Sequence, residues 1–198
     1  RQTPFRPFAG PENMVIRSNY LRKSAFLTFI AILAAIAAIA CGSSSVSSYI
    51  RERNSELTLS IDDVRDVGFK TVRQYDVDGL IGATDAWFGF RRAAGLDPTE
   101  YEIRTYPSHS DAIADGAFFA QDVIGPDGNI FTSDAAWKTG TADRWLYRVP
   151  TNSINPARVP KYHDYMIVGN LVILCQGLDE ATSQVACDWM AAQLEAEL

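Results

Sequence analysis

The sequence predicts an α+β fold: a small antiparallel sheet with helices packed on one face, preceded by an N-terminal hydrophobic helix. Two observations carry the domain and a third carries the leading helix. Residues 165–175 place the apolar runs YMIV and LVILC on either side of Gly169-Asn170, the two-residue loop of a β-hairpin. Elsewhere apolar residues recur three and four apart, as on the buried face of a helix, and these stretches are segregated from the hairpin. Ahead of them, residues 25–40 carry no charge at all.

Taken in order, Ser60 followed by Asp63 has the arrangement of an N-cap with a carboxylate in the first turn. Val64, Val67, Thr71, Val72 and Tyr75 then predict an amphipathic helix over about 61–75. Leu80, Ile81, Thr84, Trp87, Phe88 and Arg91 predict a second over about 79–94, stopped by Gly95 and Pro98. Gly79, Gly82 and Gly89 weaken that helix, each costing about 1 kcal/mol against Ala, and close packing against a neighbour is their simplest reason. YEIRTY, residues 101–106, alternates and predicts a strand with one wet face. A third helix opens at Ser108 to Asp111, buries Ala112, Ile113, Gly116, Phe119, Ala120 and Val123, and closes at Gly125-Pro126-Asp127-Gly128. Residues 129–160 are irregular, with one short strand near 145–149. After the hairpin, an Asp179 cap starts a last helix over about 180–195 with Val185, Trp189 and Ala192 inward. A ferredoxin-like sandwich is one arrangement of these elements.

The amino end has a different logic. Arg17, Arg22 and Lys23 form a basic head that resists translocation. As a helix the sixteen uncharged residues 25–40 span ~24 Å, short of the ~30 Å hydrocarbon core. The run thins to alanine before Cys41 and Gly-Ser-Ser-Ser. This layout resembles the signal peptides of bacterial lipoproteins: Ala40 and Cys41 match the most demanding lipobox positions, while Ala38 stands where Leu is commonest. The resemblance covers the first forty-five residues or so and implies lipidation of Cys41 and removal of everything upstream. The alternative is an uncleaved anchor over 14–40 with Cys41 an ordinary thiol. Residues 1–13 then read as an upstream tail before Met14, residues 41–56 as a flexible linker, and residues 57–198 as a single extracytoplasmic domain. The expected location is the cell membrane, lipid-anchored and facing the extracytoplasmic side.

The whole chain has a net charge of −6, but five of its 18 basic residues and one of its 24 acidic residues precede Cys41. From Cys41 onward 13 basic and 23 acidic residues leave a net charge of −10, which disfavours nucleic acid as a partner. With Cys41 lipidated, Cys175 and Cys187 remain, one at a strand end and one in the following helix, where the turn between them would allow a disulfide; the alternative is two buried thiols, since on an ideal helix Cys187 points away from Val185 and Trp189. That bridge would add roughly 3 kcal/mol by the chain-entropy estimate.

No residue offers a mechanism. His109 and His163 have acidic neighbours in Asp111, Asp115 and Asp164 but no metal-ligand spacing, so no metal and no cofactor is assigned. Ser108, His109 and Asp111 are triad residues by type, yet adjacent residues do not converge as a triad does. Asp76, Asp78 and Gly79 fall short of a calcium loop, whose twelfth position would be Trp87. No catalytic residue is therefore assigned. The leading expectation is an interaction or accessory lipoprotein, with a protein partner at a surface carrying Trp137, Trp145 and Tyr147. The alternative is a small-molecule binder or sensor with a pocket lined by Trp87, Phe88, Tyr106 and Tyr165, and an enzyme is the third choice.

Overall fold

Six strands pair into one sheet in the order β1-β7-β8-β4-β3-β2 in the computed structural model, which describes residues 50–92, 97–149 and 154–197. The strands are β1 (Glu52–Arg53), β2 (Lys70–Gln74), β3 (Asp85–Arg91), β4 (Thr99–Thr105), β7 (Tyr162–Val168) and β8 (Leu171–Gln176). All neighbours are antiparallel except β1, which runs parallel to β7. A separate hairpin joins β5 (Trp145–Arg148) to β6 (Ala157–Pro160). The helices are α1 (Ile61–Asp66), a continuous helical run from α2 (His109–Asp111) through a π turn (Ala112–Gly116) to α3 (Ala117–Gln121), and α4 (Glu180–Ala196). This is an α+β fold, as the sequence predicts.

β7 and β8 are both interior strands of the sheet, and their sequence explains why. Both strands are apolar at successive positions, and each buries both faces. Met166, Val168, Ile173 and Cys175 join Tyr101 and Ile103 of β4 under α1 and α4. Ile167, Val172 and Leu174 point the other way, into a second core with Tyr106, Ala112, Ala117 and Ala120 of the π turn and its flanking helices. The helices are thus divided between the two faces. Gly169 takes φ 54 while Asn170 stays out of the left-handed region, as a type II′ turn requires.

Two predicted helices are in part strands. The first begins as expected, with Ser60 and Asp63 forming a reciprocal capping box, but ends at Asp66. Gly68 at φ 92 turns the chain, its N–H donating to Arg65 O and that of Phe69 to Val64 O. These two bonds form a Schellman motif, with Phe69 and Val64 sharing one core. Lys70–Gln74 then continues as edge strand β2. In the second segment Gly79 and Gly82 sit at positive φ in turns, and β3 follows with Ala86 and Phe88 on one face and Trp87 and Gly89 on the other. Gly89 is needed for close approach: a Cβ there would stand 2.3 Å from the Lys70 carbonyl and 2.5 Å from the Phe69 ring.

The linker expected over 41–56 is shorter than the sequence suggests. Ile167 and Gly169 donate to the carbonyls of Arg51 and Arg53, and Arg51 bridges Asp164 and Asp188. Ile50 packs against the second core, so residues 50–56 belong to the folded domain. Cys41 and the signal-like segment lie outside the described residues.

Helix α4 starts at the Asp179 capping box, as predicted, but faces inward with a different stripe. Ser183, Cys187, Met190, Ala191 and Leu194 are buried, whereas Val185 is 70% exposed, Ala192 is exposed and Trp189 is half-buried. The reason is covalent. Cys175 on β8 is bonded to Cys187, with Cα atoms 5.6 Å apart, so Cys187 must face the sheet. Val185 and Trp189 are turned aside by that constraint.

Candidate functional site

An open groove of about 430 Å³ lies where the first half of α4 meets one end of the sheet. Tyr101 of β4, Trp189 of α4 and Arg91 at the end of β3 are among the residues that line it. The Arg91 guanidinium lies over the Trp189 ring at 3.4 Å from its centroid, while its Nε donates to Val67 O at 3.3 Å. That stack is a cation–π contact with the cation anchored from behind. The Tyr101 hydroxyl donates to Ala186 O at 3.4 Å, and burial pushes its pKa up to about 12, so it stays protonated.

The polar groups of the rim mostly hold the backbone in place. Gln176 Oε1 accepts from Glu100 N at 2.7 Å, and Thr182 Oγ1 accepts from the backbone N–H groups of Leu178 and Asp179 at 2.8 and 3.1 Å. Leu178 and Val185 stand out of this polar frame as exposed apolar side chains, 66% and 70% exposed. Arg148 donates to the Leu178 carbonyl, joining the end of the β5–β6 hairpin to the groove's rim.

The sequence-derived sites fare unequally. Cys175 and Cys187 form the disulfide. Tyr147 is exposed and Trp145 half-buried, the two rings meeting edge to face at 5.1 Å with Arg158 over Trp145 at 4.1 Å. Trp137 does not belong to that surface. It is 2% exposed, its Nε1 donating to Asp78 O, because its ring fills the space between Tyr75 and the Arg104 and Arg144 guanidinium groups. The pocket expected from Trp87, Phe88, Tyr106 and Tyr165 does not assemble, since β3 alternation sends Trp87 and Phe88 to opposite faces. Phe88, Tyr106 and Tyr165 are core residues.

His109 and His163 are far apart in the fold. His109 closes the hairpin turn, with Nδ1 at 2.7 Å from Gly169 O and Nε2 at 3.1 Å from Glu52, whereas His163 is the second residue of β7, at its opposite end. Burial and the neighbouring Arg148 charge lower the His163 pKa. Among the described residues no group of three His, Cys, Asp or Glu could hold a metal, and no helix is long and apolar enough to cross a membrane. Ser108 caps α2 through Asp111 instead of acting with His109.

The sequence model of a family of unknown function, DUF6810, matches residues 60–196, from the α1 cap to the end of α4. The chain belongs to that family. The DUF6810 span includes the groove, the disulfide and both faces of the sheet, and leaves out β1 with everything before it. No curated protein and no solved structure matches the chain.

The groove was the part that sequence reasoning missed. One signal was present: Cys187, Met190, Ala191 and Leu194 already show the helical spacing of an inward stripe, which leaves Val185 and Trp189 beside it for other work.

Proposed function

We propose that this chain is a membrane-tethered extracytoplasmic lipoprotein, lipidated at Cys41, that serves as an interaction or accessory protein. Its contact site is the groove between α4 and the sheet end. The observation that carries this reading is the pair of exposed apolar side chains, Val185 and Leu178, standing at a groove lined by Trp189 and Tyr101. Aromatic rings, a cation stacked on one of them and apolar side chains at one groove are residue types that recur at protein-contact hot spots. The Cys175–Cys187 disulfide supports an oxidising compartment, and the lipoprotein-like segment supports attachment to a membrane there.

A photo-crosslinking residue at Val185, in native membranes, tests the contact site. A discrete protein adduct at Val185 and none at Val72, an exposed position on β2, is the expected result; equal labelling at both would remove the groove from consideration. Intact-mass measurement tests the tether. The expected species starts at a diacylglyceryl Cys41, and a chain retaining residues 1–40 would exclude it. Small-molecule binding is the second reading, favoured by a volume of about 430 Å³, inside the usual range for ligand pockets.

A further inference from the structure

The β5–β6 hairpin differs in charge from the domain that bears it. Residues 144–163 are the longest run without Asp or Glu after Cys41, and they contain Arg144, Arg148, Arg158 and Lys161, in a chain whose net charge from Cys41 onward is −10. Two of these cations are neutralised inside the domain: Arg144 is buried against Glu102, and Lys161 is matched by Glu100 at 2.5 Å. The other two form no ion pair among the described residues. Arg148 donates to Leu178 O at 3.3 Å, and the Arg158 guanidinium lies 4.1 Å from the centroid of the Trp145 ring and 5.9 Å from that of Phe131.

Strand register gathers apolar surface around these arginines. Tyr147 stands opposite Arg158, and its ring meets that of Trp145 at 5.1 Å, so three aromatic side chains surround one cation. Phe131 and Tyr147 are exposed. Past the last strand pair, Arg148 with Ala157, come Val149 on one side and Ile154 on the other, both exposed and Ile154 92% so. Of the carboxylates nearby, Asp143 is taken by Arg73 and Tyr75. Asp134, whose N–H donates to Phe131 O, is exposed and offsets one of the two free charges, so this surface stays net positive.

We propose that the β5–β6 hairpin docks on an anionic phospholipid surface, with Val149 and Ile154 entering the boundary between headgroups and acyl chains, Phe131 and Tyr147 at headgroup level, and Arg148 and Arg158 on lipid phosphates. Tyrosine and tryptophan settle at that level because their rings are apolar with one polar end. Arginine suits it too, since its stem lies along apolar surface while the guanidinium meets phosphate. A lipid boundary takes up a freely standing isoleucine without a shaped pocket, which a protein partner would have to supply. The remaining surface, rich in carboxylates, is repelled by anionic lipid, so the hairpin is the face that a membrane selects. The proposal rests on the membrane tether proposed above to bring the domain to lipid, and is independent of the groove.

A photo-reactive residue at Ile154, in the full chain reconstituted into vesicles of phosphatidylcholine with and without phosphatidylglycerol, tests the contact. The expected product is a phospholipid adduct at Ile154, absent when the photo-reactive residue is at exposed Val72 on β2, and at least about fivefold more abundant with the anionic lipid. Arg148→Gln combined with Arg158→Gln should remove that increment while the disulfide and circular dichroism show a folded protein. Raising the salt concentration around the unaltered chain should remove it as well, with no substitution involved. Equal lipid labelling at Ile154 and Val72, equal labelling in the two kinds of vesicle, or a protein adduct in place of lipid at Ile154 in native membranes would overturn the proposal. Intact mass of the same sample separates this result from the tether: a lipidated Cys41 without lipid adducts at Ile154 removes the hairpin alone, whereas a chain that retains residues 1–40 and labels lipid at Ile154 removes the diacylglyceryl anchor and keeps the hairpin.

Discussion

The two faces of one sheet are both apolar at heart, but only one of them also buries a cluster of charges. Under α1 and α4 the core is apolar, Ile103, Met166, Val168 and Ile173 with Met190 and Leu194, and a disulfide pins the helix to it. Across the same strands, on the alternate side chains, an apolar cluster with Ile167, Val172 and Leu174 is joined by the buried charges of Glu102, Arg104 and Arg144, with Trp137 against both guanidinium groups. An apolar face tolerates small losses because each contact is worth little by itself. A buried ionic face does not, because removing one partner leaves the others charged and dry.

The largest expected effect follows from that asymmetry. Arg144→Met should cost about 3–5 kcal/mol in urea unfolding, since it strands the Glu102 carboxylate without its bidentate partner. Replacing Glu102, Arg104 and Arg144 together by Leu, Met and Met should recover most of that loss. If the triple replacement is as damaged as the single one, the faces differ by packing and not by charge.

On the other face, replacing Cys175 and Cys187 by Ala should cost about 3 kcal/mol by the loop-closure estimate for their separation of 12 residues. Combined with Arg144→Met, the losses should add to within about 0.5 kcal/mol, because the two sites share no partner. A coupling well above that value would show that the central strands transmit strain from one face to the other.

Legibility in the sequence followed the same division. The hairpin, the Asp179 cap, the 109–121 helical run and the disulfide were readable because each depends on local spacing: Gly169-Asn170 between apolar runs, Asp179 before Thr182, and two cysteines twelve apart. Strands β2 and β3 read as helix in the sequence because Thr71 and Tyr75 continue the 3.6 period of Val64 and Val67 past Gly68, where α1 ends, and because Leu80, Ile81, Thr84, Trp87, Phe88 and Arg91 fit the same period. The buried charges were invisible for a deeper reason. YEIRTY alternates like a strand with a wet face, but Arg144, 42 residues from Glu102, closes that face from above. Nothing local marks a polar residue whose partner arrives from so far along the chain. The groove is not legible because Val185, Trp189 and Ala192 offer a helical stripe that competes with the one through Cys187, and the disulfide decides between them.

Acid titration separates the faces by sign. Burial raises the Glu102 carboxyl, but the Arg144 and Arg104 charges and their hydrogen bonds outweigh it and hold the pKa below the ordinary value. Its stabilisation is therefore present above the unfolded pKa and lost as pH falls through the folded one. On the disulfide face, burial raises Asp164 despite the Arg51 ion pair. That carboxylate is a burden at neutral pH, relieved as pH falls from its raised value toward the ordinary one. Stability measured against pH should thus have a flatter acid limb in Glu102→Gln and a steeper one in Asp164→Asn. The same change of slope in both variants would contradict the opposed shifts.

The smallest effect is the one that isolates the groove. Val185 belongs to α4 but not to its buried stripe, so Val185→Asp should change unfolding free energy by no more than about 0.5 kcal/mol, as surface substitutions do. Met190→Asp, five residues on and fully buried, places a charge in the apolar core and should prevent folding. The pair brackets the helix. If Val185→Asp leaves stability intact and removes the partner crosslinked from a photo-reactive residue at Leu178, on the same groove, the exposed valine is retained for contact; if it destabilises the domain, Val185 is packing that the stripe through Cys187 does not account for.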